Sequence, residues 1–174
     1  MHFKSPEHAL KVAYYILATR IEPCNVIQKM IEKNTGVKIH SASDLSPHDW
    51  HTQSVWILNL AKRVTGNKIG FHVLQASFGD IMSNEVRESL FEVSQWINKT
   101  TDSRERLITD MIVTHMLRGR PTQRFIADQF CIPQANVFRA IKKYRDMVNV
   151  ERDHADAILW DEFKTAGLVR EGLD

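Results

Sequence analysis

Cysteine, glycine, proline and long apolar runs are all scarce in this chain, and each scarcity removes a class of protein. The two cysteines, Cys24 and Cys131, stand alone without CxxC spacing. That excludes a disulfide framework and suits thiols in a reducing compartment. Seven glycines and five prolines in 174 residues leave little room for the many tight turns of an all-β protein. The apolar stretches at 12–18 and 55–60 fall far short of the ~20 residues that a membrane-spanning helix needs. The segment TGNKIG has two glycines but lacks the Gly-Lys-Ser/Thr ending of a phosphate-cradling loop. Near the N-terminus His2, Lys4 and Glu7 stand where a secretory leader would be apolar, so the expectation is a cytoplasmic protein with no membrane partner. An overall charge excess is missing too, since the formal net charge is only +2.

What is present is an ordinary globular composition, 43% hydrophobic and 25% charged, with Leu, Ile, Ala, Glu, Lys and Arg recurring at helical spacing. An all-α multi-helix bundle is the predicted class. Ser5-Pro6-Glu7 combines an N-cap, a first-turn proline and an acidic first turn, opening a helix to about Arg20. A second helix is expected from Asn25 through Glu32, an extended piece at Val37–Ile39, and a third helix from Ser46-Pro47 to about Val64. Trp56 and Leu60 share its core face. Trp50, early in that helix, suits either an interface anchor or a partly buried staple. Residues 68–78 read as helix, and Ser83 caps another through Asn98 with Val86, Leu90, Val93 and Ile97 as its stripe and Trp96 beside it. A further helix runs from Ser103 to Leu117 with Leu107, Ile108, Met111, Ile112, His115 and Met116 inward.

The stretch from Gln123 to Lys142 carries the sharpest signal. Ile126, Ala127 and Phe130 fall on the inner face of one short helix, and Val137, Ala140 and Ile141 on that of a second. Ala127 is small where a larger side chain would push the second helix away. Cys131 and Ile132 form the turn, and Pro133 suits the first helical position because its missing N–H costs nothing there. Gln134, Ala135, Asn136, Phe138, Arg139, Lys142 and Lys143 are left on the outer face, a mixture of groups that matches what a DNA major groove offers. The pattern is that of a helix-turn-helix, with the preceding helix completing a C-terminal trihelical domain.

Over these twenty residues the chain resembles the helix-turn-helix of phage Cro proteins and repressors, in Gln123, Ala127, Phe130, Ile132, Gln134, Val137, Ala140 and Ile141. Cys131 departs from that family, which most often has a left-handed glycine there. The resemblance implies a sequence-specific double-stranded DNA-binding regulator of phage or prophage type, working as a homodimer. By analogy an antitermination or sigma-like factor acting with RNA polymerase fits as well. A non-enzymatic adaptor or inhibitor that uses a basic helical face to bind a protein is the competing class.

Charge supports the DNA reading. From 118 to 147 seven basic residues (Arg118, Arg120, Arg124, Arg139, Lys142, Lys143, Arg145) face two acidic ones (Asp128, Asp146), a local balance of +5. Such a patch provides phosphate neutralisation with counterion release. From 148 to 174 seven acidic residues outnumber three basic ones, a balance of −4 that makes a poor DNA arm. Gln134 suits adenine, Arg139 guanine or a phosphate, and Ala135 or Phe138 a thymine methyl. Arg124, Lys142, Lys143 and Arg145 suit phosphates.

Competing chemistry is thin. His48 and His51 lie three apart, yet two histidines do not close a zinc site, and no spacing signature marks a third ligand. His115 on an apolar stripe reads as a hydrogen-bonded core residue. The tryptophans are not interleaved with basic residues, as stacking on single-stranded RNA would want. Neither catalysis nor a cofactor is expected. The organisation read from these signals is an N-terminal helical module over 1–100, a helix-turn-helix domain over 101–148 and a C-terminal helical extension over 149–174. In the extension Val150, Ala157, Ile158 and Trp160 are available for packing or for a partner chain.

Overall fold

In the computed structural model the residues described are 3–19, 47–66 and 68–169, and they form an all-α protein. Its helices are α1 (Pro6–Ala18), α2 (Pro47–Thr65), α3 (Ile69–Phe78), α4 (Asn84–Ile97), α5 (Ser103–Arg118), α6 (Gln123–Phe130) and α7 (Gln134–Thr165). Among the described residues no helix is long and apolar enough to cross a membrane. The helix expected at 25–32, the extended piece at 37–39 and the cap at Ser46 lie outside the described residues.

Contacts divide the chain into two compact units whose membership does not follow sequence order. The first holds the described residues up to Gly66 together with 78–80 and 155–169. In it α1 packs on α2. The Ser5 hydroxyl accepts from the His8 N–H at 3.2 Å to start α1, and Ala9, Leu10, Val12, Ala13 and Ile16 are its buried side. On α2 the buried face runs through Trp50, Ser54, Ile57 and Ala61, with Leu60 beside it. Trp50 is therefore core. Trp56, expected inward, is 46% exposed because it lies off this i, i+4, i+7, i+11 stripe.

The end of α7 belongs to the same unit and stops in a Schellman turn. Gly167 adopts φ 69°, its N–H reaches the Lys164 carbonyl at 3.0 Å, and the Leu168 N–H reaches that of Phe163 at 2.8 Å. Leu168 and Val169 are thereby buried, and the Leu168 carbonyl accepts from the Phe3 N–H at 2.7 Å. Ala155, Leu159 and Phe163 form the inward stripe of this part of α7. Ala157, expected to pack, is exposed because two residues from each of Ala155 and Leu159 is more than half a helical turn away.

The second unit holds 68–77 and 81–154. Ser83 caps α4 by accepting from the Val86 N–H at 3.2 Å, and Asp102 caps α5 by accepting from the Glu105 N–H at 2.9 Å. Val73 of α3, Val93 of α4, Val113 of α5 and Val148 of α7 meet in one core, with Leu90, Trp96, Ile97, Met116 and Leu117 around them. A part-buried polar link joins α3 to α4: the Ser89 hydroxyl donates to Gln75 Oε1 at 2.7 Å, which leaves its oxygen to accept from His72 Nδ1 at 3.0 Å. On α5 the buried positions are Thr109, Ile112 and Val113. Leu107, expected inward, is 56% exposed because it stands about 140° from Ile112 around the helix. Val150 is likewise exposed, since α7 buries Val148 instead.

His8 gives the first unit a defined response to acid. Its Nδ1 accepts from the Lys4 N–H at 3.4 Å, so the neutral ring carries its proton on Nε2, which is buried without a hydrogen bond. Burial first, then the charges of Lys11 and Lys4, lower its pKa below 6.5. The unfolded chain then binds more protons than the folded one in mild acid. Stability from this group is complete above the unfolded value and is lost as pH falls through the folded one. We predict that acidification from pH 7 towards 5 destabilises the wild type more than His8→Phe in denaturant titrations. Parallel stability curves for the two proteins would show that His8 does not carry this response.

Candidate nucleic-acid interface

Three helices of the second unit share a core distinct from the valine cluster. Ile112 of α5, Ile126 and Ala127 of α6, and Val137 and Ile141 of α7 are buried together, with Ile108, Met111, Phe130, Ile132, Ala140 and Tyr144 packed around them. Ala127 is 6% exposed and Val137 fully buried, so both belong to this shared core. The inward assignments made from spacing for Ile126, Ala127, Val137 and Ile141 all hold.

Local chemistry sets the entry and exit of α6. Gly119, at φ 74°, ends α5, and the half-buried His115 donates from Nδ1 to the Pro121 carbonyl at 2.7 Å, holding the connecting loop. Thr122 then caps α6 by accepting from the Phe125 N–H at 3.2 Å. At the other end Cys131 adopts φ 52°, ψ 45°, the left-handed conformation that glycine favours. The Ile132 N–H reaches the Ala127 carbonyl at 3.0 Å, and the Cys131 N–H reaches that of Asp128 at 3.4 Å. This is again a Schellman arrangement, in which Ile132 turns back onto the core. Pro133 falls one position before the α7 described here, and its carbonyl accepts from the Asn136 N–H at 2.9 Å.

With Val137 and Ile141 facing the core, Gln134, Ala135, Asn136, Phe138, Arg139, Lys142, Lys143 and Arg145 are all exposed on α7, and Arg124 is exposed on α6. Phe138 is 57% exposed and Phe125, on α6, 51%. Two local pairs distinguish the arginines. Arg124 Nε lies 3.8 Å from the Asp128 carboxylate one turn away. Arg139 Nη1 donates to Asn136 Oδ1 at 3.3 Å, a neutral partner that leaves its charge uncompensated. A further arginine escaped the sequence reading: Arg104, at the start of α5, donates from Nη2 to the Phe130 carbonyl at 2.6 Å, tying the last turn of α6 to α5. No local spacing marks a contact between residues 26 apart. Elsewhere, His51 joins no group of three or more His, Cys, Asp or Glu side chains able to hold a metal among the described residues, and the side chain of His48 lies outside them.

No protein-family model matches this chain, and no curated protein does. The reading of the surface therefore rests on its own geometry and charge.

Two substitutions test that geometry. Ala127→Leu overpacks the core in which Ala127 is buried, and we predict a loss of about 1–3 kcal/mol in urea unfolding. Unchanged stability would place Ala127 away from any close contact. Cys131→Gly relieves the left-handed strain, and the expected gain is about 0.5–1 kcal/mol, with none for Cys131→Ala. Equal gains from both would trace the effect to the side chain rather than the backbone.

Proposed function

We propose that this protein is a sequence-specific double-stranded DNA-binding regulator of transcription, in which α6 and α7 act as a helix-turn-helix and the first turns of α7 enter the major groove. The observation that carries the reading is the division of α7 into two faces. Val137 and Ile141 are buried against Ile126 and Ala127, while Gln134, Ala135, Asn136, Phe138, Arg139, Lys142 and Lys143 are presented outward. The mechanism is equilibrium binding without catalysis. Phosphate contacts from Lys142, Lys143, Arg145 and Arg124 set register, and the outward side chains of the first turns discriminate bases. Arg124 contributes least, because Asp128 already faces it.

One reading helix spans only a few base pairs, so two copies on half-sites about one helical turn apart, or one copy held by RNA polymerase, would complete a specific site. A protein-binding adaptor is the second reading, favoured by the exposed rings of Phe125 and Phe138. The two readings separate by salt. If about six phosphates are contacted, affinity for duplex DNA falls about a thousandfold between 50 and 200 mM salt. Lys142→Ala with Lys143→Ala should lower the slope of log affinity against log salt by about 2. Salt-independent binding, or an unchanged slope in the double variant, would remove the DNA reading. A two-fold symmetric selected site bound two to one in sedimentation would establish the homodimer. A monomer on an asymmetric site would exclude it.

A further inference from the structure

We propose that Arg139 reads a guanine rather than a phosphate, and that Asn136 is the positioning residue that aims it. This rests on the DNA-binding reading above and sharpens it at one base pair. The two side chains lie one turn apart on the outer face of α7, with Arg139 Nη1 donating to Asn136 Oδ1 at 3.3 Å. A guanidinium carries five N–H donors in a planar fork. The amide oxygen takes one of them, leaving an edge of two parallel donors for the two acceptors, O6 and N7, that guanine shows in the major groove. A mobile arginine loses rotamer freedom on adopting that geometry, and holding the fork beforehand reduces the loss.

The partner's chemistry distinguishes base reading from phosphate binding. A carboxylate beside Arg139 would offset the charge that draws it to DNA, as Asp128 does for Arg124. A neutral amide orients the fork while leaving the charge intact. Phosphate contact needs no such orientation, because a point charge on a flexible stem serves it. Among the described residues, the side chains of Lys142, Lys143 and Arg145, the other cations on this stretch of α7, have no hydrogen bond or ion pair. Ala135, one turn before Arg139 and small, leaves space beside the fork for the edge of a base pair.

The test is selection of bound duplexes from a random library by the full chain at 50 mM salt. Titrations on the selected site, and on versions with each guanine replaced, follow for wild type, Asn136→Ala, Arg139→Ala and Arg139→Lys. Asn136 is exposed, and alanine is the best helix former, so the variant retains its fold. The expected result is that Arg139→Ala and Arg139→Lys both lose about a ten- to hundredfold preference for guanine at one position. Arg139→Lys keeps the wild-type salt slope, and Asn136→Ala loses part of the same preference and of no other. A uniform loss on every sequence in Arg139→Ala would overturn the base-reading role. Full guanine preference in Asn136→Ala would overturn the positioning role. A wild type that selects no DNA would overturn the underlying reading together with this one, an outcome distinct from both.

Discussion

The burial of Ile126 and Ala127 in one core with Val137 and Ile141 decides where every outward group on α7 points. A helix has two faces, and burying Val137 and Ile141 against Ile126 and Ala127 fixes which one meets solvent. The same alanine acts twice, because its carbonyl also accepts the Ile132 N–H and closes the turn that delivers α7 to its position. A larger residue there would overpack this core and disturb the carbonyl that closes the turn. The left-handed conformation of Cys131 follows from this constraint, since the chain must reverse over very few residues whatever side chain stands at the bend. Arg104 adds a tie from outside by donating to the Phe130 carbonyl, one of those left without an intrahelical donor at the end of α6.

Electrostatics act on top of that frame and do not build it. The ion pair at the candidate surface, Arg124 with Asp128, is between highly exposed groups one turn apart, a kind worth about 0–1 kcal/mol. The basic groups of α7 are concentrated within three turns, so their field adds up locally even though the net charge of the chain is only +2. Asp146 is the one acidic residue of α7 before Val148, whereas beyond it Glu151, Asp153, Asp156, Asp161 and Glu162 outnumber Arg152 and Lys164, so the balance of charge changes sign along α7.

Legibility in the sequence follows the range of the interaction. Ser5 and Ser83 as caps, and Gly119 as a helix stop, depend on neighbours three or four residues away and could be read directly. The stripe at Ile126, Ala127, Val137 and Ile141 was equally readable, because the helical period leaves few ways to bury those residues together. Errors arose where several apolar residues competed for one face. Leu107 lost to Ile112 and Val113, Trp56 to Ile57 and Ala61, and Val150 to Val148, and only the neighbouring helices decide such contests. Arg104 was invisible for a stronger reason, since its acceptor is a backbone carbonyl and no residue type announces it. Nor could linear order reveal that α3 and α4 contribute to the same compact unit as α5 and α6, because four valines spread from 73 to 148 carry that association.

Val148 bears on function through this association. One helix packed at a single place can pivot about its contact, whereas two separated contacts define its direction. Within the second unit α7 is held first by Val137 and Ile141 in the α5/α6 core and then by Val148 among Val73, Val93 and Val113. Seven residues separate Ile141 from Val148, about 10 Å along the axis. Gln134 lies seven residues on the other side of Ile141, so a sideways shift of about 1 Å at Val148 moves the first turn of α7 by about 1 Å, enough to spoil a hydrogen bond to a base edge. The residues that determine how Gln134 to Lys143 are presented therefore include α3 and α4, which carry none of the candidate DNA contacts.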